Sequence, residues 1–367
     1  MGKLEDDRLY SISIAIGAAA GIRILCSMEK FMQQQKIHAV FEGGGVKGTG
    51  LVGAVDVTLQ QGYEFCNVAG TSAGAIVAAF VAAGYASVEM KDIMFALDYR
   101  RFQDAGFLSS IPLAGKPLSL LFEKGIYKGD YFEHWIRDLL AQKGIHTFWD
   151  LVQENTELAP RYRYKLQVIT SDIARGKLIV LPWDALDYGI HPDELDVARA
   201  VRMSMSIPYF YKPIILKDKQ NHSSYMVDGG VLSNYPVWLF DPEEENTTPL
   251  YPTFGYKLVE PDEGKPRVIK GPISMLTALF ATMMEAHDAR YIKDANFLRT
   301  IPIETLGIQT TQFDMTLEQK QALYDSGKKA AAEFFGHWSF AEFAAKTLQI
   351  EHRRVKQLNY DTETGVG

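Results

Sequence analysis

The chain has 367 residues, 47% apolar and 12% aromatic, with a formal net charge of −7. That length and apolar share suffice to bury a large core, and no linker-like stretch divides it, so one extended α/β domain is expected rather than two. The negative charge argues against a nucleic-acid partner and gives no global attraction to anionic membranes. Two cysteines, Cys26 and Cys66, make no disulfide framework and are expected as reduced thiols.

In chain order, residues 1–35 form an N-terminal extension. Leu9 to Ile22 is apolar and ends near Ala18-Ala19-Ala20, the outline of a short signal peptide. Glu5, Asp6 and Asp7 stand where a basic leader is required, and Arg23 interrupts the run before it could span a bilayer. A cytoplasmic protein with an extra terminal element, or with a true start at Met28, is expected in preference to a secreted one.

Ile37 to Phe41 then reads as a short buried strand and Leu51 to Leu59 as the start of a helix. Between them lies Gly43-Gly44-Gly45-Val46-Lys47-Gly48. Glycines between a strand end and a helix N-terminus expose unpaired N–H groups at the positive end of the helix dipole, a cradle for an anion or a developing oxyanion. Gly43, Gly45 and Gly48 also fit G-x-G-x-x-G, but the acidic residue that a dinucleotide would need at the end of the second strand is missing, and a P-loop lacks its Lys-Ser/Thr. Lys47 is open to two readings: a contact for an anionic head group, or a solvated cation.

A second strand, Phe65 to Ala69, leads into Gly70-Thr71-Ser72-Ala73-Gly74 and an apolar helix from Ala75 to Ala83, closed by Gly84. This G-x-S-x-G pentapeptide has the small neighbours that a serine needs on a sharp strand-to-helix turn. Downstream, Met226-Val227-Asp228-Gly229-Gly230 ends a short apolar run in an acid and two glycines. The D-G-G can be a plain turn in which Asp228 bonds its own backbone, or a turn that projects a carboxylate toward the serine as its base.

Residues 86 to 160 read as mostly helical, with the clearest amphipathic stretch at Tyr131 to Leu140; strands resume at Lys165 to Thr170 and Lys177 to Leu181. Phe102 to Phe122 is apolar and broken by glycine and proline, which fits a lid, a membrane-touching surface or irregular core. Ile273 to Met284 has helical spacing and reads as a core helix or as the lining of an acyl channel. The acidic loop Asp241 to Pro249 is expected at the surface.

The three blocks, in this order, resemble the patatin-like phospholipase family: G-G-G-x-[KR]-G at Gly43 to Gly48, G-x-S-x-G at Gly70 to Gly74, and D-G-[GA] at Asp228 to Gly230. Ala200 to Pro213, rich in small residues and ending in proline and aromatics, is similar to a segment that precedes the family's aspartate and is expected to line the site. Gln312 to Thr316 resembles the tail of bacterial members, so the catalytic domain is expected over 36–340, with 341–367 as a C-terminal tail.

The resemblance implies a three-layer α/β/α fold with a mostly parallel central sheet. It implies a serine lipid acyl hydrolase with Ser72 as nucleophile, Asp228 as base, and Gly43, Gly44, Gly45 and Gly48 supplying or shaping the oxyanion hole. An acyl-enzyme forms, and neither metal nor cofactor is required. The implied partners are a phospholipid or other lipid ester and, transiently, a membrane surface.

Three other readings stay open. One is an α/β-hydrolase with a Ser-Asp-His triad, in which His287 or His337 would come last. Another is a non-catalytic lipid-binding module that has kept the fold. The third is a membrane-degrading effector of the same family whose activity is gated.

Overall fold

The structure, a computed structural model, describes residues 36–102, 125–154, 160–241, 251–261, 298–310 and 312–340, together with residues 269, 271, 275, 278, 279, 282, 283, 342 and 343. Its strands are β1 (Lys36–Phe41), β2 (Glu64–Thr71), β3 (Gly125–Tyr127), β4 (Leu166–Asp172), β5 (Lys177–Leu181), β6 (Tyr209–Tyr211), β7 (Ile214–Lys217), β8 (Ser223–Asp228), β9 (Thr253–Val259) and β10 (Thr300–Glu304). The regular helices are α1 (Gly48–Gln60), α2 (Ala73–Ala82), α3 (Ser87–Ala96), α4 (Asp130–Gln142), α5 (Val197–Ser204) and α6 (Leu317–His337).

An eight-stranded sheet runs in the order β10-β9-β1-β2-β4-β8-β7, with β5 also paired to β4. From β10 to β4 the pairs are parallel; β5 and β8 on β4, and β7 on β8, are antiparallel. β2 lies between two parallel neighbours, and every residue but Glu64 is buried. This is why it reads as a continuous run of apolar and small residues rather than an alternating one.

β1 shows the layering residue by residue. Ile37, Ala39 and Phe41 face the large core shared with α1, α2 and α6, while Val40 faces a second core with Ala69, Tyr235, Val237 and Phe240. His38 points to that second side, stacked 5.0 Å from both Tyr162 and Phe240. Burial, with Arg161 nearby, drives its pKa down to about 3, so it is a neutral core histidine. The period of two thus separates two apolar layers across one sheet, the three-layer α/β/α arrangement expected.

α2 is buried along its whole length, as its apolar sequence requires, and burial of each of Ile76, Val77 and Phe80 contributes roughly 1.5–3 kcal/mol. α4 buries Phe132, Ile136 and Leu140, one turn apart on one face, against this core. α6 starts in a capping box in which the Thr316 hydroxyl accepts from Gln319 N–H at 3.2 Å and the Gln319 side chain accepts from Thr316 N–H at 3.0 Å.

Several expectations change in the folded chain. The helical reading of 86–160 missed β3, a short strand paired with β6. The first helix begins at Gly48 rather than Leu51, because the glycine run itself winds into it. In the stretch 273–284, the described Met275, Leu279 and Met283 are exposed, so they line neither core nor channel. The lid-like stretch lies outside the described residues except for Phe102, which is buried against Phe132 and Trp135. The N-terminal apolar run, Cys26 and His287 also lie outside them. Cys66 is a buried free thiol, its pKa pushed up to about 11 by burial. Among the described residues no helix is long and apolar enough to cross a membrane.

Candidate active site

Strand register brings the two expected partners level. Thr71 pairs with Ile169 of β4 across the parallel ladder, and Thr170, the next residue of β4, pairs with Asp228 across the antiparallel one. Ser72, one residue beyond Thr71, therefore stands level with Asp228 on the same edge of β4: β5, paired with Val168 to Asp172, holds the other edge, while β2 and β8 follow one another along this one. Asp228 is the last residue of β8 and Ser72 the first beyond β2, so the two strand ends meet head to head beside Thr170 and bring the two side chains together.

Ser72 sits on a sharp elbow with φ 54° and ψ −126°, a conformation that costs a non-glycine residue on the order of 1–3 kcal/mol. The flanking glycines are there because the turn is tight. A Cβ on Gly70 would strike the Gly74 carbonyl, and one on Gly74 would strike the Phe41 and Glu42 carbonyls at the end of β1. The Ser72 N–H donates to Ser204 Oγ at 2.8 Å, and its hydroxyl lies against the Met205 thioether at 3.6 Å.

Asp228 ends β8, completely buried. Its Oδ1 accepts the Gly230 N–H at 2.8 Å, so the plain-turn reading of D-G-G is correct and compatible with the functional one. Oδ2 has no hydrogen bond of full geometry. Burial pushes the carboxyl pKa up to about 7, held there against the opposing pull of the Ser72 hydroxyl and the Gly230 N–H. Ser72 is thus close enough to bias the carboxyl, while its hydroxyl has better contact geometry toward sulfur.

The glycine loop lies beside this pair. The Gly43 N–H donates to the Asn234 carbonyl at 3.2 Å, and the Asn234 side-chain amide returns to the Gly43 carbonyl at 3.1 Å. Among the described residues, no acceptor takes the N–H of Gly44 or Gly45, so these are the loop donors available to an anion. Gly45 has φ +58°, and a Cβ there would run into the Thr310 carbonyl. Gly48 opens α1 against the Ala73 side chain, directly behind the elbow.

Lys47 fits neither reading made from sequence. Its side chain is buried in an ion pair with Glu260, just beyond β9, and Glu260 also accepts from Thr305 Oγ1 at 2.7 Å. The tight turn at 45–47 throws it sideways against the sheet, so it braces the loop instead of meeting solvent or ligand.

The 200–213 segment does line the site, and its serines are residues that the motifs alone did not single out. Ser204 Oγ donates to the Ile169 carbonyl at 2.6 Å, and the Ser206 carbonyl accepts the Asp228 N–H at 2.9 Å. Buried Arg202 anchors the turn by donating to the carbonyls of Gly129 at 3.1 Å and Lys212 at 3.0 Å and to Ser206 Oγ. No sequence spacing signals these bonds; the only hint was a run of small residues ahead of Pro208.

Among the described residues no histidine contacts Ser72 or Asp228. His337 closes α6 and lines a separate apolar cavity of about 340 Å³ with Leu298, Pro302 and Trp338. No group of three His, Cys, Asp or Glu side chains among the described residues is placed to hold a metal.

Comparison with known proteins agrees with this architecture. The sequence profile described as "Patatin-like phospholipase" matches residues 39–241. The chain is 41% identical to the uncharacterised protein YqhO of Bacillus subtilis over 306 residues, 83% of this chain and 99% of that one. It is 26% identical to the uncharacterised protein R571 of Acanthamoeba polyphaga mimivirus, over 83% of this chain and 95% of that one. Among solved structures it is similar to VipD from Legionella pneumophila, with a TM-score of 0.47 and 17% identity over 82% of this chain and 66% of VipD. The chain belongs to the patatin-like phospholipase family and is a lipid hydrolase of that class.

Proposed function

We propose that this lipid hydrolase cleaves fatty-acyl esters of phospholipids through a Ser72–Asp228 dyad and an acyl-enzyme intermediate. The observation that carries the reading is the Asp228 carboxyl, wholly buried with a pKa near 7 and level with a serine on a strained elbow. A carboxyl poised near neutral pH can take the Ser72 proton and return it, whereas one at its ordinary value is a weak base.

In this mechanism Asp228 removes the hydroxyl proton as Ser72 Oγ attacks the ester carbonyl. The oxyanion is received by the N–H groups of Gly44 and Gly45, and such donors are typically worth about 3–4 kcal/mol each. Gly43, whose N–H is held by the Asn234 carbonyl, and Gly48 shape the loop without donating to the oxyanion. Asp228 then protonates the leaving alcohol and accepts a proton from water as the water oxygen attacks the acyl carbonyl; it returns that proton to Ser72 Oγ as the acyl–serine bond breaks and the fatty acid leaves. Every step moves one proton between Asp228 and an oxygen, and no histidine is needed. The cytoplasmic location and transient membrane contact expected from the sequence belong to the same proposal.

Free fatty acid release from mixed phospholipid vesicles tests it, with wild type beside Ser72→Ala and Asp228→Asn, each with and without cell extract. Loss of release in both variants is expected. Release retained by Asp228→Asn would reinstate the histidine triad. No release by wild type under either condition would remove phospholipid as the substrate, and release only with extract would mark a gated enzyme.

A further inference from the structure

We propose that Ser204 is a positioning residue for the nucleophile: its hydroxyl ties the Ser72 backbone N–H to the Ile169 carbonyl and thereby fixes where the Ser72 side chain stands over β4. The proposal rests on the reading of Ser72 as the nucleophile and adds to it a residue outside the three motifs.

The direction of this hydrogen-bond chain is unambiguous. The Ile169 carbonyl can only accept, so at 2.6 Å the Ser204 hydroxyl must donate to it. The Ser72 N–H can only donate, so at 2.8 Å the Ser204 oxygen must accept. The one proton of Ser204 is therefore committed to β4, and the group cannot serve as an acid toward substrate. Nor can the Ser72 N–H receive an oxyanion, which leaves that task to the glycine loop.

What Ser204 does supply is a fixed elbow. Ser72 holds a left-handed φ of 54°, and such a conformation persists only where surrounding bonds over-determine it. Ser204 is completely buried, so no water stands ready to replace its oxygen. Without it, the elbow would carry both strain and an unsatisfied buried N–H, and it would relax.

The same tie reaches the base. A Cβ on Gly229, the residue after Asp228, would strike the Ile169 carbonyl, so the turn that follows the base rests on the very oxygen that holds Ser204. Two residues beyond Ser204, the Ser206 carbonyl takes the Asp228 N–H at 2.9 Å. The end of α5 and the turn after it thus grip the backbone of both partners where the ends of β2 and β8 meet beside β4. Displacement of a reacting group by about 1 Å can lower a rate about 10²-fold.

The test compares the full-length wild type with Ser204→Ala, Ser204→Thr and Thr58→Val. Thr58, toward the far end of α1, is a buried hydroxyl that, like Ser204, makes two hydrogen bonds, donating to the Ala54 carbonyl at 2.9 Å and accepting from the Tyr256 hydroxyl at 2.8 Å, and it controls for loss of a buried, doubly bonded hydroxyl. The readouts are kcat and KM for a soluble p-nitrophenyl ester, the rate of Ser72 labelling by a fluorophosphonate, and the thermal midpoint. Ser204→Ala is expected to lower kcat and the labelling rate about 10- to 100-fold, with KM changed by no more than about twofold. Ser204→Thr, which keeps the oxygen, should recover most of the loss, and Thr58→Val should lower only the thermal midpoint. Wild-type labelling and kcat in Ser204→Ala, a loss no greater than in Thr58→Val, or a Thr variant as slow as the Ala variant would each overturn the proposal. If wild type itself takes no label at Ser72, the nucleophile assignment fails and the proposal falls with it. Equal labelling of wild type and Ser204→Ala refutes Ser204 alone.

Discussion

The Ser72 hydroxyl meets the Met205 thioether at 3.6 Å, while Asp228 Oδ2, the carboxylate oxygen not engaged by Gly230, lacks a hydrogen bond of full geometry. Sulfur and carboxylate therefore compete for one proton. Met205→Leu keeps the volume and removes the sulfur, so the hydroxyl is left with Asp228 as its acceptor. Loss of one modest hydrogen bond predicts an increase of about two- to fivefold in fluorophosphonate labelling of Ser72. A slower Met205→Leu protein would show that the thioether assists the nucleophile.

The raised Asp228 pKa has opposite effects on activity and stability. In the folded chain the carboxyl titrates near 7 against an ordinary 3.8, so between those values the native state holds a proton that the unfolded chain has released. Stability therefore falls as pH rises from about 4 to about 7, by on the order of 4 kcal/mol once the buried carboxylate is fully ionised. As the proposed base, Asp228 must lose that same proton to work, so kcat/KM should climb with an inflection near pH 7. Asp228→Asn, inactive at either pH, should melt higher than wild type at pH 8 and gain much less at pH 4.5. Melting differences of equal size at the two pH values would rule out a buried carboxylate as the source.

Gly45 and Gly84 separate strain from collision. Both have positive φ, +58° and +78°, but a Cβ on Gly45 runs into the Thr310 carbonyl while Gly84 faces open space. Gly84→Ala should cost about 1 kcal/mol of stability, the left-handed penalty alone, and leave activity unchanged. Gly45→Ala must also displace the loop whose N–H groups are proposed to receive the oxyanion. Its kcat should fall by 10²-fold or more, on the scale of losing an oxyanion donor. Urea midpoints and esterase kinetics of the two variants check this, and equal activities would place the oxyanion hole elsewhere.

Much of the molecule is legible in the sequence because its motifs encode steric demands that act within a few residues. Gly70 and Gly74 are required by backbone atoms packed against the elbow, and the apolar helix after Ser72 is buried along its whole length. The glycine run likewise begins α1, and the order of the three blocks follows β1, β2 and β8. Even the choice between a plain and a functional turn at Asp228 was posed by sequence; the folded chain forms the plain turn and leaves it compatible with the functional one.

What only tertiary structure decided are relationships between distant segments. The height match of Ser72 and Asp228 depends on the registers of two ladders that meet on β4, one parallel and one antiparallel, and no local periodicity carries that information. Lys47 turned from a loop cation into a buried brace because Glu260, more than two hundred residues away, lies beside it. Ser204 looked like one small residue among several until Ser72 and Ile169 closed on its hydroxyl from two other elements. The pKa of Asp228 likewise comes from complete burial, which the surrounding layers impose. Sequence by itself therefore determined which groups could react. Long-range packing decided which of them meet, because register, burial and hydrogen-bond partners are properties of neighbours brought together by the fold.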